Sequence, residues 1–378
     1  MTDLAAVLDE LRSAGLFREL REVHSAQGAR VWLDGREVVL LCSNDYLGLA
    51  GDPRLRAAAA EFAERWGAGA GASRLVSGGM VPHRRLEEEL AAFKGSEACL
   101  LFGSGFLANT GIIAALAGPG DVVLSDSLNH ASIVDGCRLA RAQTVVYPHR
   151  DVDALAHGLA AAAGRDAVIV TDGVFSMDGD LAPLVAIVEL AQRHGARVVV
   201  DEAHATGVVG AGGRGLVAEL GLEREVDVVV GTLGKALGSY GAFACCDART
   251  ASFLVNRART LIFSTALPPP SLGAALEGLR ILREEPERVA RLHRNARLLR
   301  TELGLTPDPM PIVPLVIGDP AAAMHACRAA LERGVFAQAI RPPTVPEGTS
   351  RLRLVAMATH AEDDLRRAAA VLRQPATV

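Results

Sequence analysis

The sequence predicts an α/β protein, in which a large domain with a mostly parallel sheet is followed by a smaller α+β domain at the C-terminal end. Short β-branched runs alternate with helix-like segments such as 131–142, 151–163 and 183–194. Each run is too apolar to leave one face in water, which is typical of strands covered by helices on both sides. The alternation stops at three consecutive prolines. The β-branched runs are 122–124, 144–147, 167–171, 197–201 and 226–231.

Beyond the prolines at 268–270 the pattern changes. A long charged helix is predicted around 286–303 and a second helix at 319–333, and short apolar runs and a closing helix follow them. We expect the N-terminal helix to join this smaller domain. The predicted divisions are an N-terminal helix and arm at 1–45, a large domain at 46–270 and a small domain at 271–378.

Length, composition and charge exclude several classes of protein. The chain has 378 residues, half of them hydrophobic, which indicates a globular protein of more than one core. The net charge of −5 gives no reason to expect a nucleic-acid or membrane partner. None of the six cysteines forms a CxxC pair, so we expect reduced thiols and a cytoplasmic protein. The N-terminus has the apolar spacing of an amphipathic helix and lacks the basic start and apolar run of a signal peptide.

Lysine is almost absent from this chain. The 39 basic residues include only Lys94 and Lys235, and arginine supplies the other cations. A lysine amine can form a Schiff base or release its proton near neutral pH, whereas a guanidinium cannot. Lys94 precedes Gly95 at the end of a predicted helix, where a solvated cation is the expected role. Lys235 is therefore the lysine with candidate chemistry.

Two neighbouring predicted strands end at chemically useful residues. Asp201 ends the run RVVVD, His204 follows it, and Lys235 lies in a glycine-bounded loop after the next run. Ligands of parallel sheets bind at the carboxyl ends of the strands. An acid and a lysine there can hold opposite sides of a flat ligand. Pyridoxal phosphate (PLP) requires this pair, because a carboxylate keeps its pyridine nitrogen protonated and a lysine binds its aldehyde.

Other interpretations of these residues are weaker. Asp201, Glu202 and His204 could begin a metal site, but no further ligand set is evident, so we expect no metal. The segment GTLGKALG resembles a phosphate loop but lacks the GxxxxGK[ST] spacing, which argues against a nucleoside triphosphate.

Further candidates follow other predicted strands. Small residues precede the apolar helix in FGSGFLANTGIIAAL, where free N–H groups and the helix dipole can bind a phosphate. His130 follows the strand at 122–124 and could stack on an aromatic cofactor. Ser176 follows the strand at 167–171 and could reach a ligand hydroxyl.

Seven blocks in a fixed order carry a family resemblance. They are SNDYLGL, GSGFLANTG, LNHASIVDG, TDGVFSMDGDLAPL, VDEAHATGVVGAGGRG, TLGKALGSYGAF and RPPTVPEGTSRLRL, and they span nearly the whole chain. Together they resemble the α-oxoamine synthases. The resemblance implies fold type I of the PLP enzymes, which is similar to aspartate aminotransferase. It also implies a homodimer that condenses an amino acid with an acyl thioester and releases CO2.

The resemblance implies a role for several residues of a PLP site. Lys235 is implied to carry the cofactor as a Schiff base and to remove the α-proton, and Asp201 to pair with the pyridine nitrogen. His204 and Ser176 are implied to contact the ring oxygen. The other implied cofactor residues are His130, which stacks on the ring and completes the catalytic set, Gly105, Phe106, Thr232 at the phosphate and Thr265 across the dimer.

The resemblance also implies substrate contacts. Arg353 is implied to bind the amino-acid carboxylate, a task that suits a bidentate guanidinium. Either Arg18 or Arg21, together with Thr344, is implied to meet the acyl substrate. The remaining implied substrate contacts are Asn44, His130 and Arg341.

Within the family, HATG after Asp201 and the RPPTVPEGT loop favour the biotin-pathway branch. Its substrates are L-alanine and a pimeloyl thioester of coenzyme A or of acyl carrier protein. The alternatives are glycine C-acetyltransferase, 5-aminolevulinate synthase or serine palmitoyltransferase, because acyl-chain specificity rests on few contacts. A PLP-binding protein without turnover is a rival from another class, and the intact set of catalytic residue types argues against it.

Overall fold

The structure is a computed structural model that describes residues 2–373. Its contacts divide the chain into two compact units. The large unit contains Leu49–Ser176 and Asp180–Val289. The small unit contains Met1–Gly48, Met177–Gly179 and Ala290–Val378.

The described strands and helices follow one another as below. The strands are β1 (Arg30–Leu33), β2 (Arg36–Leu40), β3 (Ala98–Phe102), β4 (Val122–Asp126), β5 (Gln143–Tyr147), β6 (Ala167–Asp172), β7 (Arg197–Asp201), β8 (Val228–Thr232), β9 (Ala242–Cys246), β10 (Ile312–Gly318), β11 (Val335–Phe336), β12 (Gln338–Ile340) and β13 (Ser350–Val355). The helices are α1 (Leu4–Ser13), α2 (Pro53–Trp66), α3 (Val81–Lys94), α4 (Gly105–Leu116), α5 (Ala131–Ala140), α6 (Val152–Ala161), α7 (Leu184–His194), α8 (Leu216–Glu219), α9 (Ala248–Arg257), α10 (Arg259–Ile262), α11 (Pro269–Glu284), α12 (Glu287–Glu302), α13 (Pro320–Glu332) and α14 (Glu362–Arg373).

The large unit is built on a seven-stranded sheet in the order β3-β9-β8-β7-β6-β4-β5. The five β-branched runs form β4 to β8, which are parallel to their neighbours within that group, as predicted. The strands β3 and β9 were not predicted. Their sequences, ACLLF and AFACC, contain no β-branched residue, and β9 is antiparallel to both of its neighbours. The central strands are buried along their length because helices cover the sheet.

Helices of the large unit pack closely where glycine allows it. Helices α2 and α11 make extensive contact, and a side chain at Gly273 would meet the ring of Phe62 and the Ala58 carbonyl oxygen. Pro269 is the first residue of α11. The three prolines therefore begin a helix, since proline fits the first turn, where its missing N–H has no partner to lose.

The small unit contains two three-stranded sheets, ordered β1-β2-β11 and β10-β13-β12. The predicted run VFAQAI is divided between them, because β11 pairs with β2 and β12 pairs with β13. Helices α12 to α14 follow the predicted charged, second and closing helices. None of the helices within residues 2–373 is both long and apolar enough to cross a membrane.

The prediction for Lys94 was wrong. Its side chain is only 3% exposed and forms a salt bridge with the fully buried Glu202. The amine also donates hydrogen bonds to Thr206 Oγ1 at 3.1 Å and to the Arg214 carbonyl oxygen at 2.5 Å. The end of α3 is covered by a segment 108 positions later in the chain, which the local sequence does not reveal.

Candidate functional site

Lys235 and His204 meet at the carboxyl ends of two adjacent strands. His204 lies in the turn after β7, and Lys235 lies in the loop after β8. The Lys235 Nζ is 2.9 Å from His204 Nε2. The lysine is partly exposed, whereas His204 is buried. The amine is thus held at the sheet edge by a ring behind it.

Asp201 is a buried carboxylate with neutral partners. It ends β7 and is 5% exposed. Its Oδ2 accepts a hydrogen bond from Asn109 Nδ2 at 2.6 Å, and its Oδ1 accepts one from the Ala203 N–H at 2.8 Å. Among residues 2–373, no lysine, arginine or histidine forms a salt bridge with Asp201. A buried charge of this kind needs a cationic partner.

A chain of polar side chains leads from Asp201 to His130. The Asn109 amide also donates to Ser132 Oγ at 2.9 Å, and Ser132 Oγ lies 2.7 Å from His130 Nδ1. His130 caps the N-terminus of α5. Partial burial lowers the pKa of His130, although the nearby Asp201 charge opposes this effect. The imidazole therefore favours its neutral form, which can stack on a flat ring without adding charge.

A second acid lies beside Asp201. Asp172 ends β6 in register with Asp201 and accepts a hydrogen bond from the His130 N–H at 2.7 Å. Burial, followed by the Asp201 charge, raises the pKa of Asp172 well above its ordinary value. Two adjacent buried carboxyls do not both ionise easily. The site thus contains one acid suited to carry charge and one suited to remain protonated.

Small residues at the start of α4 and Thr232 are suited to bind phosphate. Ser104 caps α4 and accepts a hydrogen bond from Leu107, while Gly105 and Phe106 form the first turn, whose N–H groups have no partner within the helix. Thr232 ends β8, donates to the Gly241 carbonyl oxygen and accepts from the Gly234 N–H, both at 3.1 Å.

Ser176 and Thr265 lie elsewhere in the large unit. Ser176 is buried in the turn after β6. Thr265 is exposed on the segment after α10, where it forms an isolated β-bridge with Ser73.

The donors of the large unit fit PLP. Asp201 is a buried carboxylate suited to a pyridinium N–H, and Lys235 supplies an amine on the neighbouring strand. The start of α4 and Thr232 supply groups of the kind that bind phosphate. Within residues 2–373, no group of three or more His, Cys, Asp or Glu side chains is arranged to hold a metal ion.

In the small unit, Arg353 lies in the middle of β13 and is 6% exposed. Its Nη1 donates a hydrogen bond to Asn44 Oδ1 at 3.1 Å. Tyr46 lies nearby, and its burial raises the pKa of the phenol, while the Arg353 charge and hydrogen bond oppose this rise. The pair Arg353–Asn44 therefore offers a fixed cation, which is the chemistry a carboxylate ligand needs.

The predicted acyl contacts lie around one cavity of the small unit. The cavity has a volume of about 670 Å³, and its lining includes Arg18, Arg21, Arg341 and Thr344. Arg21 forms a salt bridge with Asp34, and Arg341 donates to the Phe17 carbonyl oxygen at 3.3 Å and to that of Gly15. Arg18 is exposed and forms no salt bridge among residues 2–373. Apolar side chains complete the wall, including Val23, Met324, Phe336 and Ile340.

Sequence reasoning missed several residues of these sites. Asn109 lies within the quoted block GSGFLANTG, and its position on the buried face of α4 was the only available signal. Ser132, Asp172 and Arg328 had no signal of their own. Asp172 is part of the run AVIVTD, and Arg328 is one of many helical arginines.

Two comparisons of sequence bear on the family. The family model described as aminotransferase class I and II matches residues 36–372. The 8-amino-7-oxononanoate synthase of Geobacter sulfurreducens is 54% identical over 379 residues, which cover 98% of this chain and 96% of the relative. That of Anaeromyxobacter dehalogenans is 53% identical over 364 residues, which cover 94% and 91%.

Solved structures share the fold. A structure of SPT, serine palmitoyltransferase, with PLP has a TM-score of 0.92 and 33% identity and covers 98% of this chain and 96% of that one. The 8-amino-7-oxononanoate synthase of Francisella tularensis has a TM-score of 0.77 and 27% identity and covers 89% and 97%. The chain therefore has fold type I, as the sequence blocks implied.

Proposed function

Because the chain belongs to the α-oxoamine synthases within the class I and II aminotransferase family, we propose that it condenses L-alanine with a pimeloyl thioester. It is a PLP-dependent acyltransferase of biotin biosynthesis, and its product is 8-amino-7-oxononanoate. In the reaction, the α-carbon of alanine bonds to the thioester carbonyl carbon, and the thiol leaves. The alanine carboxyl leaves as CO2, and a proton replaces it.

One observation supports this chemistry above the others. The large unit holds a lysine amine and a buried carboxylate without a cationic partner at the ends of adjacent strands. PLP, when bound, supplies an electron sink that stabilises negative charge at the α-carbon. In this proposal Lys235 is the attachment residue, and its amine moves the α-proton. His204, 2.9 Å from that amine, orients it.

Other residues of the large unit hold the cofactor. Asp201 keeps the pyridine nitrogen protonated by charge, and Asn109 fixes the carboxylate through its amide. His130 stacks against the ring in its neutral form. The remaining proposed contacts are Ser176 to the ring oxygen and Gly105, Phe106 and Thr232 to the phosphate end.

The small unit supplies the proposed substrate contacts. Arg353, fixed by Asn44, binds the alanine carboxylate. The cavity lined by Arg18, Arg21, Arg341 and Thr344 takes the pimeloyl chain, because its arginines suit a terminal carboxylate and its apolar wall suits methylene groups. Coenzyme A and acyl carrier protein are both candidate carriers. The domain division at 45 and 270 stays a prediction.

We also propose that the protein acts as a homodimer. Large apolar side chains of the large unit are exposed on two neighbouring segments, notably Leu75 at 54%, Val76 at 79% and Phe263 at 71%. The segments are joined by the Ala266 N–H, which donates to the Ala72 carbonyl oxygen at 3.0 Å. Exposed apolar patches mark interfaces. A second copy on this face would bring Thr265 against its neighbour, as the family resemblance implies.

Serine palmitoyltransferase is the second candidate activity, because the TM-score of 0.92 to one such enzyme is high. The lower identity of 33%, against 54% for the biotin-pathway relative, makes it the weaker one. A panel of alanine, glycine and serine against pimeloyl, succinyl, acetyl and palmitoyl thioesters, with product masses, separates the candidates. We expect kcat/KM to be highest for alanine with pimeloyl thioester. A preference for serine with palmitoyl thioester would reject the proposal.

A further inference from the structure

His149 joins three loops at the carboxyl edge of the sheet in the large unit. It follows β5, the edge strand. Its Nδ1 lies 3.0 Å from Oδ1 of Asp126, which ends β4. Its Nε2 lies 2.8 Å from Oδ2 of Asp180, in the turn after β6. The ring also packs edge-on against Phe175, with 4.4 Å between the ring centroids. One imidazole thus contacts the loops that follow β4, β5 and β6.

The geometry of these contacts requires a charged imidazole. Both partners are carboxylates, which accept hydrogen bonds when ionised and cannot donate. A neutral imidazole has one donor nitrogen and one acceptor nitrogen, so one of its contacts would place two lone pairs together. Only the protonated ring donates to both Asp126 and Asp180. Each bond is then charge-assisted, which makes it stronger than a neutral one.

The surrounding charges favour that state overall. Asp126 and Asp180 face the ring directly, and Arg150 Nη1 shares Asp180 Oδ2 at 3.1 Å. The buried Oδ1 of Asp180 has no hydrogen-bond partner, so its Oδ2 carries the link. Asp172 is the next acid along the sheet edge, and Asp126 contributes to the rise of its pKa. Burial opposes protonation of His149, but the bonds to Asp126 and Asp180 outweigh it and raise the imidazole pKa above 6.5.

The two carboxylates belong to loops that carry proposed cofactor residues. Asp126 Oδ1 also accepts the Leu128 N–H at 2.8 Å, two residues before His130. The Asp180 carbonyl oxygen accepts the Phe175 N–H at 2.9 Å, and Phe175 precedes Ser176. A force on either carboxylate is therefore transmitted through one hydrogen bond to the backbone beside His130 or Ser176.

We propose that His149 is a positioning residue that, when protonated, ties the loop carrying His130 to the loop carrying Ser176. This role rests on the proposed function, because those two residues matter only if they contact PLP. His149 itself touches neither substrate nor cofactor in this proposal. It acts by holding both loops at the spacing that the cofactor ring requires.

The pH dependence has a defined sign. The folded-state pKa of His149 is raised, so its contribution to stability is complete below the unfolded value of about 6.5. The contribution is lost as the pH rises through the folded-state pKa. The variant His149→Asn lacks this term at every pH. The difference in Tm between the wild-type holoenzyme and this variant should therefore be largest near pH 6 and shrink at alkaline pH.

The decisive experiment compares His149→Asn with His157→Asn. His157 is exposed on α6, just after the same edge strand, and bonds only the Asp153 carbonyl oxygen. We expect His149→Asn to raise the Kd for PLP about tenfold, the scale of one charge-assisted hydrogen bond. The KM for pimeloyl thioester should stay within about twofold, because the acyl cavity belongs to the small unit. His157→Asn should change neither quantity.

A second variant keeps the test valid if His149→Asn folds poorly. Asp180→Asn preserves shape and removes one charge, so it should weaken PLP binding less. The double variant with His149→Asn should be no worse than His149→Asn alone, since both break one link. Additive effects, or a Tm difference that does not vary with pH, would overturn the proposal.

The outcomes separate this inference from the proposed function. A wild-type protein that turns over alanine and pimeloyl thioester, while His149→Asn binds PLP as tightly, rejects the role of His149 alone. A wild-type protein that binds PLP without turnover, while His149→Asn weakens that binding, rejects the proposed reaction and supports the positioning role.

Discussion

Lys235 Nζ and His204 Nε2 lie 2.9 Å apart although the two residues are 31 positions apart in the chain. They meet because β7 and β8 are adjacent and parallel, which places the loops after both strands at one edge of the sheet. A neutral amine and a neutral imidazole can share one proton at this distance. The arrangement keeps the lysine pointed and available.

The first prediction concerns attachment of the cofactor. Borohydride reduction of the PLP-loaded protein, followed by peptide mass analysis, should place a pyridoxyl group on Lys235 and none on Lys94. The amine of Lys94 is buried and donates to Glu202, Thr206 and the Arg214 carbonyl oxygen, so it has no free position for a carbonyl ligand. Label on Lys94, or no label at all with PLP in excess, would contradict the assignment.

The second prediction distinguishes the two buried acids. Asp201→Asn removes the charge proposed to hold the pyridine proton, so α-proton exchange on alanine should fall on the order of a hundredfold or more. Asp172→Asn is the matched control from the adjacent strand end. The raised pKa of Asp172 already favours its neutral form, so its amide should change the exchange rate by less than about tenfold. Proton exchange measured by NMR decides between them, and equal losses would reject the assignment of charge to Asp201.

The third prediction concerns the buried salt bridge. Lys94→Met leaves Glu202 charged and uncompensated, because the two side chains are only 3% and 0% exposed. The free energy of unfolding should fall by about 3–5 kcal/mol. Arg84→Met is the control, since the Arg84–Glu88 pair is 73% and 69% exposed and should contribute under about 1 kcal/mol. Denaturant titration measures both, and equal losses would argue against a structural role for Lys94.

The fourth prediction tests the acyl cavity. Arg18 forms no salt bridge among the described residues, whereas Arg21 is engaged by Asp34. If Arg18 binds the terminal carboxylate of the chain, Arg18→Ala should lower kcat/KM for pimeloyl thioester about tenfold more than for acetyl thioester. Arg21→Ala should lower the two values more evenly. An Arg18→Ala variant with an unchanged ratio of the two values would show that the chain end is not bound there.

The fifth prediction tests the homodimer. The holo-protein at micromolar concentration should sediment at twice 39.6 kDa. Val76→Asp places a charge on the exposed apolar segment and should shift the protein toward monomer. Leu139→Asp, at a 61% exposed position on α5, serves as the control and should remain dimeric. An active wild-type monomer would exclude the proposed assembly.

The strands of the parallel core could be predicted because each carries its signal locally. Runs such as RVVVD are β-branched, and an apolar run between helices identifies a strand buried on both faces. The same reasoning failed for β3 and β9, whose alanine, cysteine, leucine and phenylalanine residues fit a buried helix equally well. Their antiparallel pairing is set by the sheet rather than by their composition.

By itself, the sequence determined the fold class, the candidate cofactor pair Asp201 and Lys235, and the family, because strand ends and ordered motifs are local properties of the chain. Only the tertiary structure decided which residues support that pair. Asn109 reaches Asp201 across 92 positions, and Lys94 reaches Glu202 across 108. These contacts depend on how separate helices pack on the sheet, and a buried polar group takes its partner from whatever that packing brings near. No local pattern contains that information.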